Sequence, residues 1–190
     1  MPDELRDPEI NFEKLWKTFH DRYPFFKLRN VDWKKQYETY RPRVTRQTTD
    51  DELFDIFCEM LDPLDDGHVE LKGRTGPGRR KRSFNPESQP RFRQEFSARE
   101  IKQLPNVTII GEHTNGIFSY QLEKKLPNGW RYRLSYQVYM SADMVCYEGR
   151  GVPVDISLLN RNCDIEKGVD PLIIRALEVI QTKNTGRSIN

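Results

Sequence analysis

The fold class turns on residues 130–139, which read WRYRLSYQVY. Aromatic and apolar residues alternate with polar ones along most of this run, and a period of two places successive side chains on opposite faces of a β-strand. The turn-forming residues Pro127, Asn128 and Gly129 come directly before it. The stretch therefore predicts a long strand entered through a tight turn. Shorter apolar runs predict further strands at 69–71, 107–110, 117–122 and 145–147.

Upstream of residue 67 the period becomes helical. Apolar side chains recur at helical spacing from Phe12 to Tyr23, and Pro24 ends this segment. A second helix is predicted over 31–40, before Pro42. Residues 49–61 predict a third helix, because a threonine is followed three residues later by a glutamate, which is the pattern of a capping box.

The chain closes with one more predicted helix. Asp170 is a favourable N-cap and Pro171 a favourable first residue, and the apolar residues Leu172, Ile173, Ala176, Leu177 and Ile180 predict a buried face. Helices followed by strands and a helix indicate an α+β protein, with a helical N-terminal unit and a mixed β-sheet unit. We divide the sequence into a helical unit (1–66), a strand, basic loop and short helix (67–104), and a β-rich part (105–190).

Composition indicates a folded protein with a heavily charged surface. Of the 190 residues, 36% are hydrophobic and 11% aromatic, and the formal net charge is only +2. A near-balanced charge gives no overall field for nucleic acid or an anionic membrane, so neither is an expected partner. The basic run at 79–82 is most simply a solvated loop. The N-terminal MPDEL has no apolar segment, so we expect a cytoplasmic protein, or a secreted or periplasmic one whose leader has been removed.

His68 is the first candidate for chemistry. It follows a turn-forming Asp66-Gly67 pair, at the point where a helix gives way to a strand. A histidine with an ordinary pKa of about 6.5 can act as a general base near neutral pH. The alternative is a histidine that only hydrogen-bonds within its own turn.

Glu148 is the second candidate. It lies in the sequence YEGRGVP at 147–153, where two glycines and a proline constrain the loop around one acid. Such a loop can aim a carboxylate at a histidine and orient its ring. A surface carboxylate would explain the same residues.

Two blocks of motifs, which follow one another along the chain, contain these two candidate residues and point to a known family. The first contains YPFF at 23–26, Asp32-Trp33, and LDDGH at 64–68; the second contains VTIIGE at 107–112, LPNGW at 126–130, and YEGRGVPVD at 147–155. In this order they resemble the tricorn-type and tail-specific (C-terminal-processing) serine peptidases. The resemblance implies hydrolysis of peptide bonds, with His68 as the general base and Glu148 in the catalytic set. It also implies a peptide or unfolded protein as substrate and no metal or other cofactor.

The chain departs from that family in its middle. We find no Asp-x-Arg-x-Asn-x-Gly-Gly stretch, and the first block runs to about Leu104 while the second begins at about Pro105. Ser97, in FSARE, either caps a short helix or serves as the nucleophile. Without a nucleophile and an oxyanion hole, acyl transfer does not reach enzyme rates. We therefore expect an internally shortened homologue that is weak or inactive as an isolated chain.

The alternative is a non-catalytic module that binds peptides or proteins. Missing strands leave sheet edges open, through which peptides or further copies of the chain could associate. The three cysteines, Cys58, Cys146 and Cys163, share no metal-binding spacing and imply no disulfide framework.

Overall fold

A computed structural model describes residues 6–73, 80–82 and 100–184. Its helices precede a small antiparallel sheet, and a helix lies at the C-terminal end, so the predicted α+β class is confirmed. The described residues contain no helix that is long and apolar enough to cross a membrane. No disulfide joins the three cysteines, all of which lie in the described part of the chain.

Three helices build the N-terminal region: α1 (Pro8–Arg22), α2 (Trp33–Tyr40) and α3 (Asp50–Leu61). Asp7 caps α1 by accepting the Glu9 N–H, and the Asp32 carboxylate accepts two backbone N–H groups of α2. Short 3₁₀ turns, Arg41–Arg43 and Asp62–Leu64, extend α2 and α3 through their terminal prolines. All three predicted helices are therefore confirmed.

The main sheet has four strands in the order β2-β1-β5-β4, with every pair antiparallel. The strands are β1 (Glu70–Lys72), β2 (Arg80–Arg82), β4 (Gln121–Lys125) and β5 (Arg131–Ser135). The turn at 126–129 joins β4 to β5, and Gly129 adopts a φ of 94° there, a conformation that favours glycine.

Strand β5 is shorter than the alternation at 130–139 predicts, and the reason lies in its partner. Backbone pairing of β4 with β5 runs only from Gln121 to Lys125 on the β4 side. Beyond Ser135, the N–H of Gln137 donates to the Ser119 side chain instead of to a neighbouring carbonyl. The sequence pattern continues, but the backbone ladder ends.

The other strand predictions are partly wrong. The run at 107–110 yields only β3 (Ile110–Gly111), and the strand predicted at 117–122 begins four residues late, at Gln121. No strand forms at 145–147, because Val145 closes a tight turn with Ser141, in which Met144 has a φ of 60°.

The chain divides into two compact units. The first combines Met1–Gln89 with Ile117–Gly149, and the second combines Pro90–Gly116 with Arg150–Asn190. This spatial grouping differs from the consecutive segments 1–66, 67–104 and 105–190, because the chain leaves the first unit and returns to it to form β4 and β5.

The core of the first unit joins the three helices to β1 and β5. Helix α1 contributes its predicted face, and α3 packs its apolar side against the sheet. The largest fully buried side chains in this core are those of Trp130, Tyr132, Phe12, Phe19 and Phe57.

The second unit contains β3 paired in parallel with β6 (Ile156–Ser157), a short helix (Asn162–Glu166) and the C-terminal helix (Pro171–Asn184). Asp170 caps the last helix as predicted, accepting the N–H groups of Leu172 and Ile173. The predicted buried face is wrong in part. Of the residues predicted for this face, Leu172 and Ala176 are half-buried, whereas Ile173, Leu177 and Ile180 are exposed; Val179, which the prediction did not include, is buried.

Candidate active site

A sharp loop positions His68 directly after α3. Asp65 adopts a left-handed conformation, with φ 39° and ψ 49°, which reverses the chain after the 3₁₀ turn. The Asp66 carboxylate then accepts the His68 N–H at 2.8 Å, and the Asp66 carbonyl accepts the Val69 N–H at 2.9 Å. The turn predicted from Asp66 and Gly67 is therefore present, and it fixes the backbone that carries His68.

Asp66 is buried and serves as an acceptor on both carboxylate oxygens. Its Oδ1 accepts the His68 N–H, and its Oδ2 accepts the hydroxyls of Tyr23 at 2.9 Å and Ser135 at 2.8 Å. Burial, together with the negative charge of Asp66, raises the pKa of the Tyr23 hydroxyl far above its usual value of 10.0. Tyr23 therefore remains a hydrogen-bond donor.

Ser135 connects Asp66 to the imidazole of His68. The Ser135 Oγ is 2.8 Å from Asp66 Oδ2 and 3.3 Å from His68 Nδ1. A hydroxyl has one proton, and a carboxylate is the stronger acceptor. Ser135 therefore donates to Asp66 and accepts from Nδ1–H of His68. This assignment leaves the basic lone pair on Nε2, as a histidine general base requires.

Glu148 reaches the same place from the loop after β5. The glycines at 149 and 151 both have positive φ, 71° and 75°, so the loop needs residues without a side chain at these two points. The Glu148 Oε2 accepts the N–H groups of Phe118 at 2.7 Å and Ser119 at 3.0 Å. These two amides precede β4, which explains why that strand begins late.

The second oxygen of Glu148 has a different environment. Only 1% of the residue is exposed, and Oε1 has no hydrogen-bond partner among the residues that the structure describes. Burial raises the pKa of Glu148 from 4.5 to about 7, and the charge of Asp66 adds to this effect, while the two backbone amides and Arg29 oppose it. Near neutral pH, this carboxyl can therefore exist in either protonation state.

The structure brings the two sequence-predicted site residues together. One ligand atom each of Asp66, His68 and Glu148 lies within 4.8 Å of the others. The partner that fixes the His68 ring is the Ser135–Asp66 pair, whereas Glu148 lies nearby and is itself held by backbone amides. A carboxylate-oriented histidine beside an acid of raised pKa can accept and return a proton.

Sequence reasoning missed several members of this cluster. Asp66 was assigned only to the turn, although an acid next to Gly-His was a signal that could have been followed. Ser135 stands at a polar position of the alternating run, as Arg131 and Arg133 do, so the pattern does not predict that it is buried. Arg29 packs where a side chain at Gly149 would lie, with its guanidinium carbon 3.4 Å from that position. No pattern around Arg29 predicts this contact.

A nucleophile does not emerge from the described residues of this site. Ser135 contacts His68, but it is fully buried and its proton is directed at Asp66. Ser97 lies outside the described residues, so its two predicted roles, helix cap and nucleophile, both stay predictions.

Comparison with known proteins identifies one related domain. Residues 6–62 match the family profile of the tricorn protease C1 domain. The helical region is therefore similar to a domain of a known peptidase. This match covers α1 to α3 and ends before His68, so it supports the family resemblance of the helical region and leaves the roles of His68 and Glu148 as predictions.

The fold also matches a solved structure. A crystal structure of a candidate peptidase from Parabacteroides merdae aligns with a TM-score of 0.79 and 18% identity, over 97% of this chain and 99% of that chain. At this identity the match shows a shared fold. A lipoprotein from Streptococcus agalactiae aligns over 57% of this chain and 48% of its own, with 14% identity and a TM-score of 0.27, too low to support an argument. No curated protein matches the sequence.

Proposed function

We propose that this chain is a serine-peptidase homologue that retains the histidine and acid groups of the catalytic set and, as an isolated chain, hydrolyses peptide bonds weakly or not at all. The observation that carries the proposal is the buried Asp66–Ser135–His68 hydrogen-bond chain with Glu148 beside it. Three separate segments of the chain, at residues 66–68, 135 and 148, supply the groups that meet around one imidazole. This arrangement suits a general base.

The expected weakness follows from the chemistry of acyl transfer. A histidine base accelerates attack only when a hydroxyl or thiol lies within its reach and amide donors stabilise the oxyanion. The internal shortening that we infer from the sequence would remove both groups. The solved structure that aligns over nearly its full length shares this fold, which supports the existence of a short form.

The substrate class that we propose is a peptide or an unfolded protein segment. It rests on the tricorn C1 match and on the motif resemblance around His68 and Glu148. Cleavage restricted to C-terminal tails is a narrower proposal that rests on the motif resemblance alone.

A fluorophosphonate probe tests the proposal, since it reacts covalently with activated serines. We expect no labelling of the native protein above the level of a denatured sample. Ser97→Ala and His68→Ala are compared with Ser157→Ala, which removes an exposed serine of β6. Stoichiometric labelling that disappears in the first two variants and survives in the third would overturn the proposed inactivity and identify Ser97 as the nucleophile.

A second candidate function is peptide binding by strand addition. Strand β4 pairs with β5 on one side, and no described strand pairs with its other side. This edge strand has exposed polar and charged side chains, those of Gln121, Glu123, Lys124 and Lys125, which discourage pairing between copies of the chain. Light scattering measures whether the protein is a monomer, and thermal unfolding with and without carboxymethylated casein measures whether an unfolded chain binds to it. A monomer whose thermal stability does not change with casein would argue against this function.

A further inference from the structure

The cluster around His68 has the composition of a metal site as well as of a proton-transfer site. Asp66 and Glu148 are buried, His68 is half-buried, and one ligand atom of each lies within 4.8 Å of the others. In a tetrahedral Zn²⁺ site with bonds of about 2.1 Å, ligand atoms lie about 3.4 Å apart. The observed spacing therefore needs only a modest inward movement of side chains.

The unpartnered oxygen of Glu148 points independently to a ligand. Its residue is 99% buried, since only 1% is exposed, and Oε1 finds no donor among the described residues. A buried carboxylate oxygen without a donor is unfavourable, and protonation adds a hydroxyl that itself needs an acceptor. A cation bound by Oε1 satisfies this atom directly.

The charge balance favours the same conclusion. Asp66 and Glu148 are close enough for their negative charges to interact, and the nearby Arg29 lowers the pKa of Glu148 without forming a salt bridge to either carboxylate among the described residues. Buried charges are normally paired or bound to metal. A divalent cation would neutralise both carboxylates at once.

The surrounding hydrogen bonds hold these groups as outer partners hold metal ligands. Tyr23 and Ser135 donate to Asp66, and the amides of Phe118 and Ser119 donate to Glu148 Oε2, which leaves Oε1 for the ion. The three bonds to Asp66 also leave acceptor capacity on Oδ1, because a carboxylate has about four lone-pair sites. Such donors orient ligands in known metal centres.

We infer that Asp66, His68 and Glu148 bind a divalent first-row transition metal ion, for which Zn²⁺ is the probe. An imidazole ligand favours Zn²⁺ over Mg²⁺ and Ca²⁺, which prefer sites made of oxygen atoms. The inference goes beyond the proposed function and does not rest on it. A metal ion and a general-base role compete for His68, so the two are alternative states of one cluster.

Isothermal titration calorimetry of the purified full chain with ZnCl₂, after treatment with a chelator, tests the inference. We expect one site whose affinity falls at least about tenfold in His68→Gln and in Glu148→Gln, since even outer partners of a metal typically contribute 10–100-fold. His113→Gln and Cys163→Ser remove an exposed histidine and an exposed cysteine elsewhere, and both should bind as the wild type does. Circular dichroism verifies that each variant folds.

Co²⁺ absorption gives a second readout that identifies the ligand type. A complex with oxygen and nitrogen ligands shows only weak visible bands, whereas thiolate ligands add strong charge-transfer absorption. No Zn²⁺ binding, equal binding by His68→Gln, or thiolate absorption that is lost in Cys163→Ser would overturn the inference. If Glu148→Gln does not fold, the Zn²⁺ affinity of His68→Gln, a substitution at a half-buried position, decides the result. Failure here leaves the result of fluorophosphonate labelling unaffected.

Discussion

Glu148 shows at the scale of one residue how burial changes a side chain's chemistry. Two backbone amides hold one of its oxygens, which would favour the charged form, yet burial outweighs them and raises the pKa to about 7. An exposed glutamate in the same loop would be ionised throughout the physiological range. The loop glycines thus matter because they let the chain bring this carboxyl inward.

The raised pKa of Glu148 predicts a pH-dependent stability. The folded protein binds this proton more tightly than the unfolded chain does, so the contribution of Glu148 is fully present below pH 4.5 and is lost as the pH rises through about 7. The shift corresponds to at most about 3 kcal/mol, at 1.36 kcal/mol per pKa unit. Glu148→Gln, which cannot ionise, should lose less stability between pH 5 and 8 than the wild type.

Urea unfolding at several pH values measures this difference. Glu38→Gln, at an exposed position of α2, serves as the control and should follow the wild-type pH profile. Identical pH profiles for Glu148→Gln and the wild type would contradict the assignment of a buried, readily protonated carboxyl.

Ser135 carries a second prediction at this scale. Removing its hydroxyl leaves the buried Asp66 with one donor fewer and leaves His68 Nδ1 without the oxygen that orients it. We expect Ser135→Ala to lower the free energy of unfolding by about 1–3 kcal/mol. The ¹⁵N shifts of the His68 ring should also move away from the Nδ1–H tautomer.

Ser157→Ala, which removes an exposed serine, should change neither the unfolding free energy nor the ring shifts. A loss of stability in Ser135→Ala without any change in the His68 spectrum would indicate that Ser135 has a packing role and does not position the imidazole.

At the scale of elements, helix ends explain why the N-terminal region was predictable. Thr49 and Glu52 form the complete capping box of α3, in which each side chain accepts from the other residue's backbone N–H. Helices α1 and α2 join through reciprocal indole bonds, because Trp16 donates to the Trp33 carbonyl and Trp33 to that of Trp16, each at 3.1 Å. The caps depend on neighbours in sequence, whereas the indole pair appears only after folding.

The capping box predicts a measurable loss. Thr49→Ala should destabilise the protein by about 1 kcal/mol, because the side chain that accepts the Glu52 N–H is removed. Thr39→Ala on α2 is the matched control, since its exposed hydroxyl only donates to the Lys35 carbonyl within the helix. Chemical unfolding should rank Thr49→Ala below both the control and the wild type, and equal stabilities would show that the cap does not contribute.

At the scale of the whole molecule, the first unit is held together by aromatic packing across distant segments. Phe57 of α3 lies 6.0 Å from Phe12 of α1 and 6.1 Å from Trp130 at the β4–β5 turn, measured between ring centroids. Asn11 also accepts the Asn128 N–H in the interior, which fixes that turn against α1. The helices and the sheet therefore share one core.

Truncating the centre of this core should affect the whole unit. We expect Phe57→Ala to cost about 3–5 kcal/mol, because it removes a fully buried ring and leaves a cavity. Ile10→Ala, at a position with 45% of its surface exposed, should stay within about 0.5 kcal/mol of the wild type. Tryptophan fluorescence reports on the first unit, because Trp16, Trp33 and Trp130 all lie in it, and it should show one unfolding transition; two transitions would contradict a shared core.

The sequence by itself determined the features that depend on neighbouring residues: three helices, the capping box of α3, the α+β class, the turn before β5 and the turn that carries His68. Only the tertiary structure decided where strands begin and end. The Glu148 carboxylate accepts the N–H groups of Phe118 and Ser119, and the Ser119 hydroxyl accepts the N–H group of Gln137, so these amides do not join the sheet. The same holds for the site. His68 and Glu148 could be selected from their loops, and Asp66 adjoins His68 in sequence, but Ser135 joins them through hydrogen bonds to His68 and Asp66 across 67 and 69 residues of chain, which no local pattern records.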